Sequence, residues 1–193
     1  MNLPHYLTLL RIFISPAFPI LYLQREALGI PFTWLPLLLL GFLAISEISD
    51  VLDGLLARRR NEVTDLGKLL DPMADSITHI SLFLTFTQGF VQLPLLVVLV
   101  FLYRDLFVGT LRTLCALRGV ALAARLSGKM KAIIQACSAL FIVLLMIPYT
   151  QGLLSLETFQ QASLLAASIA ALYTALSVGD YFYANWIHIR RAL

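Results

Sequence analysis

The sequence predicts an all-α fold, a polytopic membrane protein with six transmembrane helices and both termini cytoplasmic. The first observation is composition: 193 residues are 60% hydrophobic and only 13% charged, with a mean hydropathy of +0.86. One soluble core cannot bury that much apolar surface, so the solvent must be largely lipid. The second is that apolar stretches long enough to cross a bilayer recur six times. The third is that lysine and arginine fall in alternate connections. No linker, low-complexity tract or fixed-period repeat interrupts the chain, which is read as a single domain over residues 1–193.

About 20 apolar helical residues cross about 30 Å of hydrocarbon. The first stretch runs from about His5 to Leu23, and Pro16 and Pro19 are expected to kink it. It lacks a small-residue cleavage site of the A-x-A kind and is read as a retained helix. The others run from about Phe32 to Val51, Leu69 to Thr87, Val91 to Leu114, Ala132 to Tyr149 and Phe159 to Phe182. The connection after the second carries Arg58, Arg59, Arg60 and Lys68; that after the fourth carries Arg118, Arg125, Lys129 and Lys131; the tail carries Arg190 and Arg191. The remaining connections hold only Arg25. Basic connections stay inside, so both termini and the segment between the second and third spans face the cytoplasm. A net charge of +3 is accounted for by that asymmetry, and nucleic acid is not an expected partner.

Acids intrude on this apolar background in two places. The second span ends in Asp50-Val51-Leu52-Asp53-Gly54-Leu55-Leu56-Ala57-Arg58, and the third begins Gly67-Lys68-Leu69-Leu70-Asp71-Pro72-Met73-Ala74-Asp75. Spacings of three and four put each aspartate pair on one helical face, and the short connection makes the two helices neighbours. Four carboxylates converging at a membrane boundary repel strongly unless cations sit among them. An all-oxygen donor set suits Mg²⁺ or Mn²⁺, and a pair of such ions is the usual arrangement for displacement at phosphorus. Gly54, Ala57 and Gly67 leave room for a bulky substrate against the backbone, although small residues also serve helix packing.

Asp50 to Asp75 reads D-x2-D-G-x2-A-R-x8-G-x3-D-x3-D, which resembles the signature of the CDP-alcohol phosphotransferase family with no position departing. The resemblance implies a homodimer of six-helix subunits with a polar cavity open to the cytoplasm. It implies that Asp50, Asp53 and Asp71 are metal ligands. Asp75 would be both a ligand and the base that takes the acceptor's hydroxyl proton. Gly54, Ala57, Arg58 and Gly67 would line the site for the cytidine diphosphate of a CDP-activated lipid. The implied setting is the inner, cytoplasmic membrane, with the site on its cytoplasmic side.

A second group of charges bears on the acceptor alcohol. Arg104 and Arg112 stand two turns apart in the fourth span beside Asp105, with Arg118, Lys129 and Lys131 at the same end. Together they suit a phosphate carried by the acceptor, whereas the loop cations equally mark the inside face and Arg104 could simply pair with Asp105. Asn2-Leu3-Pro4, Leu7 to Arg11, Leu70 to Asp75 and Gly128-Lys129-Met130-Lys131 resemble the branch of the family that converts CDP-diacylglycerol and glycerol 3-phosphate. Ser76, Asp105 and Ala132 stand where that branch usually has Lys, Glu and Thr. Myo-inositol, inositol phosphate, serine and choline therefore stay open as acceptors.

A transporter would spread its charges through the bilayer, whereas these acids cluster at one end of adjacent helices. His5, His79 and His188 are read as structural, and Cys115 and Cys137 as buried packing residues. Ala162, Ser163, Ala166 and Ala170 read as a close-packing stripe, and Tyr181, Phe182, Tyr183 and Trp186 as an interfacial belt.

Overall fold

A computed structural model describes residues 11–59, 65–119 and 126–192, without the side chains of residues 50–59, 65–70, 187–189 and 191–192. Among the described residues the regular structure is entirely helical: α1 (Ala17–Leu23), α2 (Leu35–Arg59), α3 (Asp65–Thr85), α4 (Leu95–Leu117), α5 (Leu126–Thr150) and α6 (Leu156–Ala192). A helix covers each of the five expected stretches from the second onward. The helices overrun the apolar stretches at polar ends, where α2 continues to Arg59 and α6 to Ala192. Helix-forming polar residues extend a helix beyond the hydrocarbon at no desolvation cost. Conversely, α4 begins at Leu95 and not at Val91, because Pro94, with ψ 131°, breaks the helix before it.

The expected interruption of the first helix is present. Residues 11–14 are helical, 15 and 16 form a turn, and α1 restarts after Pro16. The Ser15 hydroxyl donates to the Ile12 carbonyl at 3.0 Å there.

Helix α6 is the centre of the bundle, packing against both α5 and α4. The α6 face that makes this possible is small and polar: Ser163, Ala167, Ala170, Thr174 and Ser177 are buried, and the three hydroxyls are satisfied within the helix by carbonyls three or four residues earlier. Of the expected stripe, Ser163 and Ala170 lie in this interface. Ala162 and Ala166 are only half-buried and border an apolar groove with Ile133, Cys137 and Phe141. Helix α2 packs on α5 and α1, and α3 packs on α4, α1 and α5.

The surface is inverted relative to a water-soluble protein. Leu96, Leu106, Leu165, Leu172 and Leu176 are exposed while Arg11, Lys131, Gln135 and Asn185 are buried. Helices α5 and α6 (to Trp186) are long and apolar enough to cross a membrane. Two expectations about single residues change. Cys115 is buried, but Cys137 is exposed on the groove. Tyr183 and Trp186 are exposed as a belt requires, whereas Tyr181 is buried against Val108, Leu111 and Cys115, since α4 covers its side of α6.

Candidate active site

The two motif segments are helical as expected. Asp50, Asp53, Gly54, Ala57 and Arg58 lie on α2, and Gly67 in the first turn of α3, though their side chains fall outside the described residues. Asp71 and Asp75 do have described side chains, both half-buried, one turn apart on α3. Pro72 lies between them and removes one backbone donor from the helix beside the site.

Asp75 is the better defined of the two. Its Oδ1 accepts a hydrogen bond from Arg11 Nη1 at 3.0 Å, with the arginine side chain 6% exposed and the carboxylate 36%. One turn on, His79 Nδ1 lies 2.9 Å from the Asp75 carbonyl oxygen. The carbonyl can only accept, so Nδ1 carries a proton in this contact, and Nε2 faces Glu47 Oε1 of α2, 3.9 Å away. His79 thus has an acidic neighbour that its sequence context did not suggest.

The next residue opens a second network. Ser76 donates to Asp105 Oδ2 at 2.9 Å; Arg104 Nη1 donates to Oδ1 at 2.9 Å; Lys131 Nζ reaches both oxygens at 2.8 and 2.7 Å. Arg104 Nε also donates to Ser177 on α6 at 3.2 Å. Three helices therefore meet at Asp105, whose side chain is 4% exposed, and α6 is tied in through Arg104. A carboxylate so deeply buried is stable there only because charged and hydroxyl donors fill its lone pairs. Among the described residues, two cations against one carboxylate leave one positive charge at the cluster, beside Asp75.

Of the five cations expected to serve an acceptor phosphate, Arg104 and Lys131 are brought together, and both are engaged with Asp105. Arg112 is half-buried two turns further along α4, its Nε buried without a hydrogen-bond acceptor among the described residues. Arg118 caps the end of α4 and Lys129 stands in the first turn of α5, both exposed. Gly128 runs beside Arg104, and a Cβ there would lie 3.5 Å from Nη2. Ser127 donates to Asp180 at 2.5 Å, fastening the start of α5 to α6.

Comparison with known proteins now decides the family. A family model for CDP-alcohol phosphatidyltransferases matches residues 1–179. The chain belongs to this family. It is 32% identical over 197 residues to the CDP-diacylglycerol--glycerol-3-phosphate 3-phosphatidyltransferase of Bacillus subtilis, covering 96% of this chain and 95% of the relative. Proteins of the same name from Yersinia enterocolitica (30% identical, 96% of each chain) and Rickettsia typhi (29%, 95% of this chain and 96% of the relative) match as fully.

CDP-alcohol phosphatidyltransferases in general depend on a divalent metal. The described donors fit such an ion: Asp71 and Asp75 offer hard oxygen ligands on one face, one of them already drawing a guanidinium. Sequence reasoning gave no role to Arg11 or Ser177. Arg11 carried a usable signal, a cation inside an apolar helix; Ser177 carried none.

Proposed function

We propose that this chain is an integral membrane enzyme of phospholipid biosynthesis that transfers a phosphatidyl group from CDP-diacylglycerol to glycerol 3-phosphate, yielding phosphatidylglycerophosphate and CMP. The observation that carries the acceptor assignment is the adjacency of Asp75 and Ser76. The first is the carboxylate suited to accept a hydroxyl proton, and the second touches the cluster holding Arg104 and Lys131. An alcohol whose hydroxyl lies against Asp75 and whose own phosphate points toward those cations satisfies both ends of the site, and its name recurs in the relatives.

Asp50, Asp53, Asp71 and Asp75 would hold two divalent ions, Mg²⁺ or Mn²⁺. Those ions would offset the charge gathering on the diphosphate and the departing CMP. Asp75 takes the proton from the acceptor hydroxyl as its oxygen attacks the lipid-bearing phosphorus; the bond to CMP breaks and CMP carries away the electron pair. Gly54, Ala57, Arg58 and Gly67 would line the cytidine diphosphate site. Arg104, Lys131 and Arg112 would orient the acceptor phosphate, with Arg118 and Lys129 drawing it in.

The one domain, residues 1–193, would cross the inner, cytoplasmic membrane six times with both termini and the site facing the cytoplasm, and would act as a homodimer. Exposed leucines, buried charges and the two long apolar helices support this placement. Cysteine labels at Asn61 and Arg191 are expected to react from the cytoplasmic side and one at Gly152 from the other. Labelling of Asn61 from outside overturns the orientation.

The decisive assay offers the purified protein CDP-diacylglycerol and Mg²⁺ with glycerol 3-phosphate, myo-inositol, inositol phosphate, serine or choline in separate reactions. Glycerol 3-phosphate is expected to be the acceptor used. Turnover with inositol or serine and none with glycerol 3-phosphate would keep the family and remove the acceptor.

A further inference from the structure

We propose that Arg11 is a positioning residue of the carboxylate site: its guanidinium neutralises Asp75 until a divalent ion is bound, and thereby sets how tightly that ion is held. The inference rests on the reading of Asp75 as a metal ligand and base.

Arg11 is 6% exposed and its Nη1 lies 3.0 Å from Asp75 Oδ1, across 64 positions of sequence. A guanidinium keeps its charge at any accessible pH, so burying it requires an anion beside it. A carboxylate that the proposed reaction also needs supplies such an anion here. An N–H donated to Oδ1 occupies one of the carboxylate's lone pairs, and a positive charge at that distance repels a dication. Ion and guanidinium therefore compete for this carboxylate, and binding of the ion weakens the contact. The released guanidinium is a planar fork of donors suited to phosphate oxygens, in a site where a diphosphate is handled.

Removing the charge should then act in opposite directions on two quantities. The divalent ion binds more tightly, because its competitor is gone; turnover falls, because the carboxylate is no longer oriented and the diphosphate loses a donor. A residue that merely supported the fold would weaken both together.

The test is a Mn²⁺ titration of the purified chain without substrate, read by electron paramagnetic resonance, alongside transfer assays at saturating Mn²⁺. Arg11→Gln is expected to tighten Mn²⁺ binding by about tenfold while lowering kcat by at least about tenfold. Arg11→Lys, which keeps the charge, should keep Mn²⁺ affinity close to the parent value. Unchanged or weaker Mn²⁺ binding in Arg11→Gln, or Arg11→Lys binding as tightly as Arg11→Gln, overturns the proposal. Should Arg11→Gln fail to fold, the unaltered protein supplies a second reading. Modification by an arginine-selective dicarbonyl, mapped to Arg11 by mass spectrometry, is expected to rise when Mn²⁺ is added, and no rise overturns the proposal. Failure of the unaltered chain to bind Mn²⁺ would sink the carboxylate-site reading and this inference with it, whereas a normal titration that Arg11→Gln leaves unmoved sinks the inference alone.

Discussion

The two ends of the bundle are built on different physics. At one end, Phe18, Tyr22, Phe32, Phe86, Phe90, Tyr149 and Phe159 interlock, with Phe90 stacked on Tyr149 at 5.3 Å and Tyr149 on Phe159 at 4.9 Å. At the other end, the Ser76 hydroxyl of α3 and the charged side chains of Arg104 on α4 and Lys131 on α5 converge on Asp105, and Arg11 meets Asp75. Aromatic contacts are broad and forgiving, since each ring touches several neighbours and loses only part of its area when one is trimmed. Charged contacts in a dry site are directional, and deleting one partner strands the other. One end can therefore hold the helices together while the other keeps a reactive, anion-accepting arrangement that packing alone would not maintain.

The sharpest way to break this comparison is at the carboxylates. Asp71→Asn or Asp53→Asn is expected to abolish phosphatidyl transfer, leaving a protein that still elutes as a folded species in detergent, since the charge serves metal and not packing. Transfer at the parent rate by either variant in a CDP-diacylglycerol assay with Mg²⁺ or Mn²⁺ removes the mechanism.

Asp105→Ala should do more damage to the fold than either of those and somewhat less to any single chemical step. It leaves Arg104 and Lys131, 12% and 7% exposed, facing each other without their carboxylate. Breaking a buried pair costs about 3–5 kcal/mol, so thermal inactivation in detergent should begin at a much lower temperature. Asp105→Glu, by contrast, should retain the ion pairs and most of the stability. Equal thermal stability of Asp105→Ala and the parent would mean that the cations are solvated and the hub is not structural.

At the aromatic end the expected losses are smaller and spare chemistry. Tyr22 donates its hydroxyl to the Gln88 carbonyl at 3.2 Å and accepts from the backbone N–H groups of Phe90 and Val91 at 3.2 and 3.3 Å. Tyr22→Phe strands those groups at a cost of about 1–3 kcal/mol. Gly89 sits against the same ring with φ +67°, where a Cβ would lie 2.8 Å from it, so Gly89→Ala combines backbone strain with overpacking and should cost a similar amount. Both variants should lower the inactivation temperature and leave kcat and acceptor KM at permissive temperature nearly unchanged. A large kcat effect from either would mean that the two ends are coupled.

This division also explains what could be read from the sequence. The carboxylate motif was legible because acids in an apolar helix violate the rule that governs every neighbouring position, and the violation is local. The helices were legible from the recurrence of long apolar stretches, but their ends were not, since hydropathy follows apolar residues and α2 and α6 continue past them as polar helices. Ser76 and Asp105 stood out as departures, yet nothing 29 positions apart revealed that they touch. Arg11 read as part of a resembling segment and not as the partner of Asp75. Tyr181 and Cys137 were misassigned because the face a residue presents depends on which helix packs beside it, and that is a tertiary property.

The smallest expected effect separates cations that bind from cations that orient the chain. Arg118 and Lys129 are exposed where Arg104 and Lys131 are buried, so water and salt screen them and a single exposed charge is worth about 0–1 kcal/mol. Arg118→Gln and Lys129→Gln should each raise the KM for glycerol 3-phosphate by no more than about fivefold, and the increase should shrink as ionic strength rises. Neither should change the KM for CDP-diacylglycerol. Arg112→Ala should raise the acceptor KM more steeply, and salt should recover less of it, because its Nε is buried. An Arg118 or Lys129 variant whose acceptor KM rises as steeply, and equally at high salt, would place that side chain on the acceptor's phosphate. The pocket would then lie nearer the ends of α4 and α5 than the Asp105 cluster.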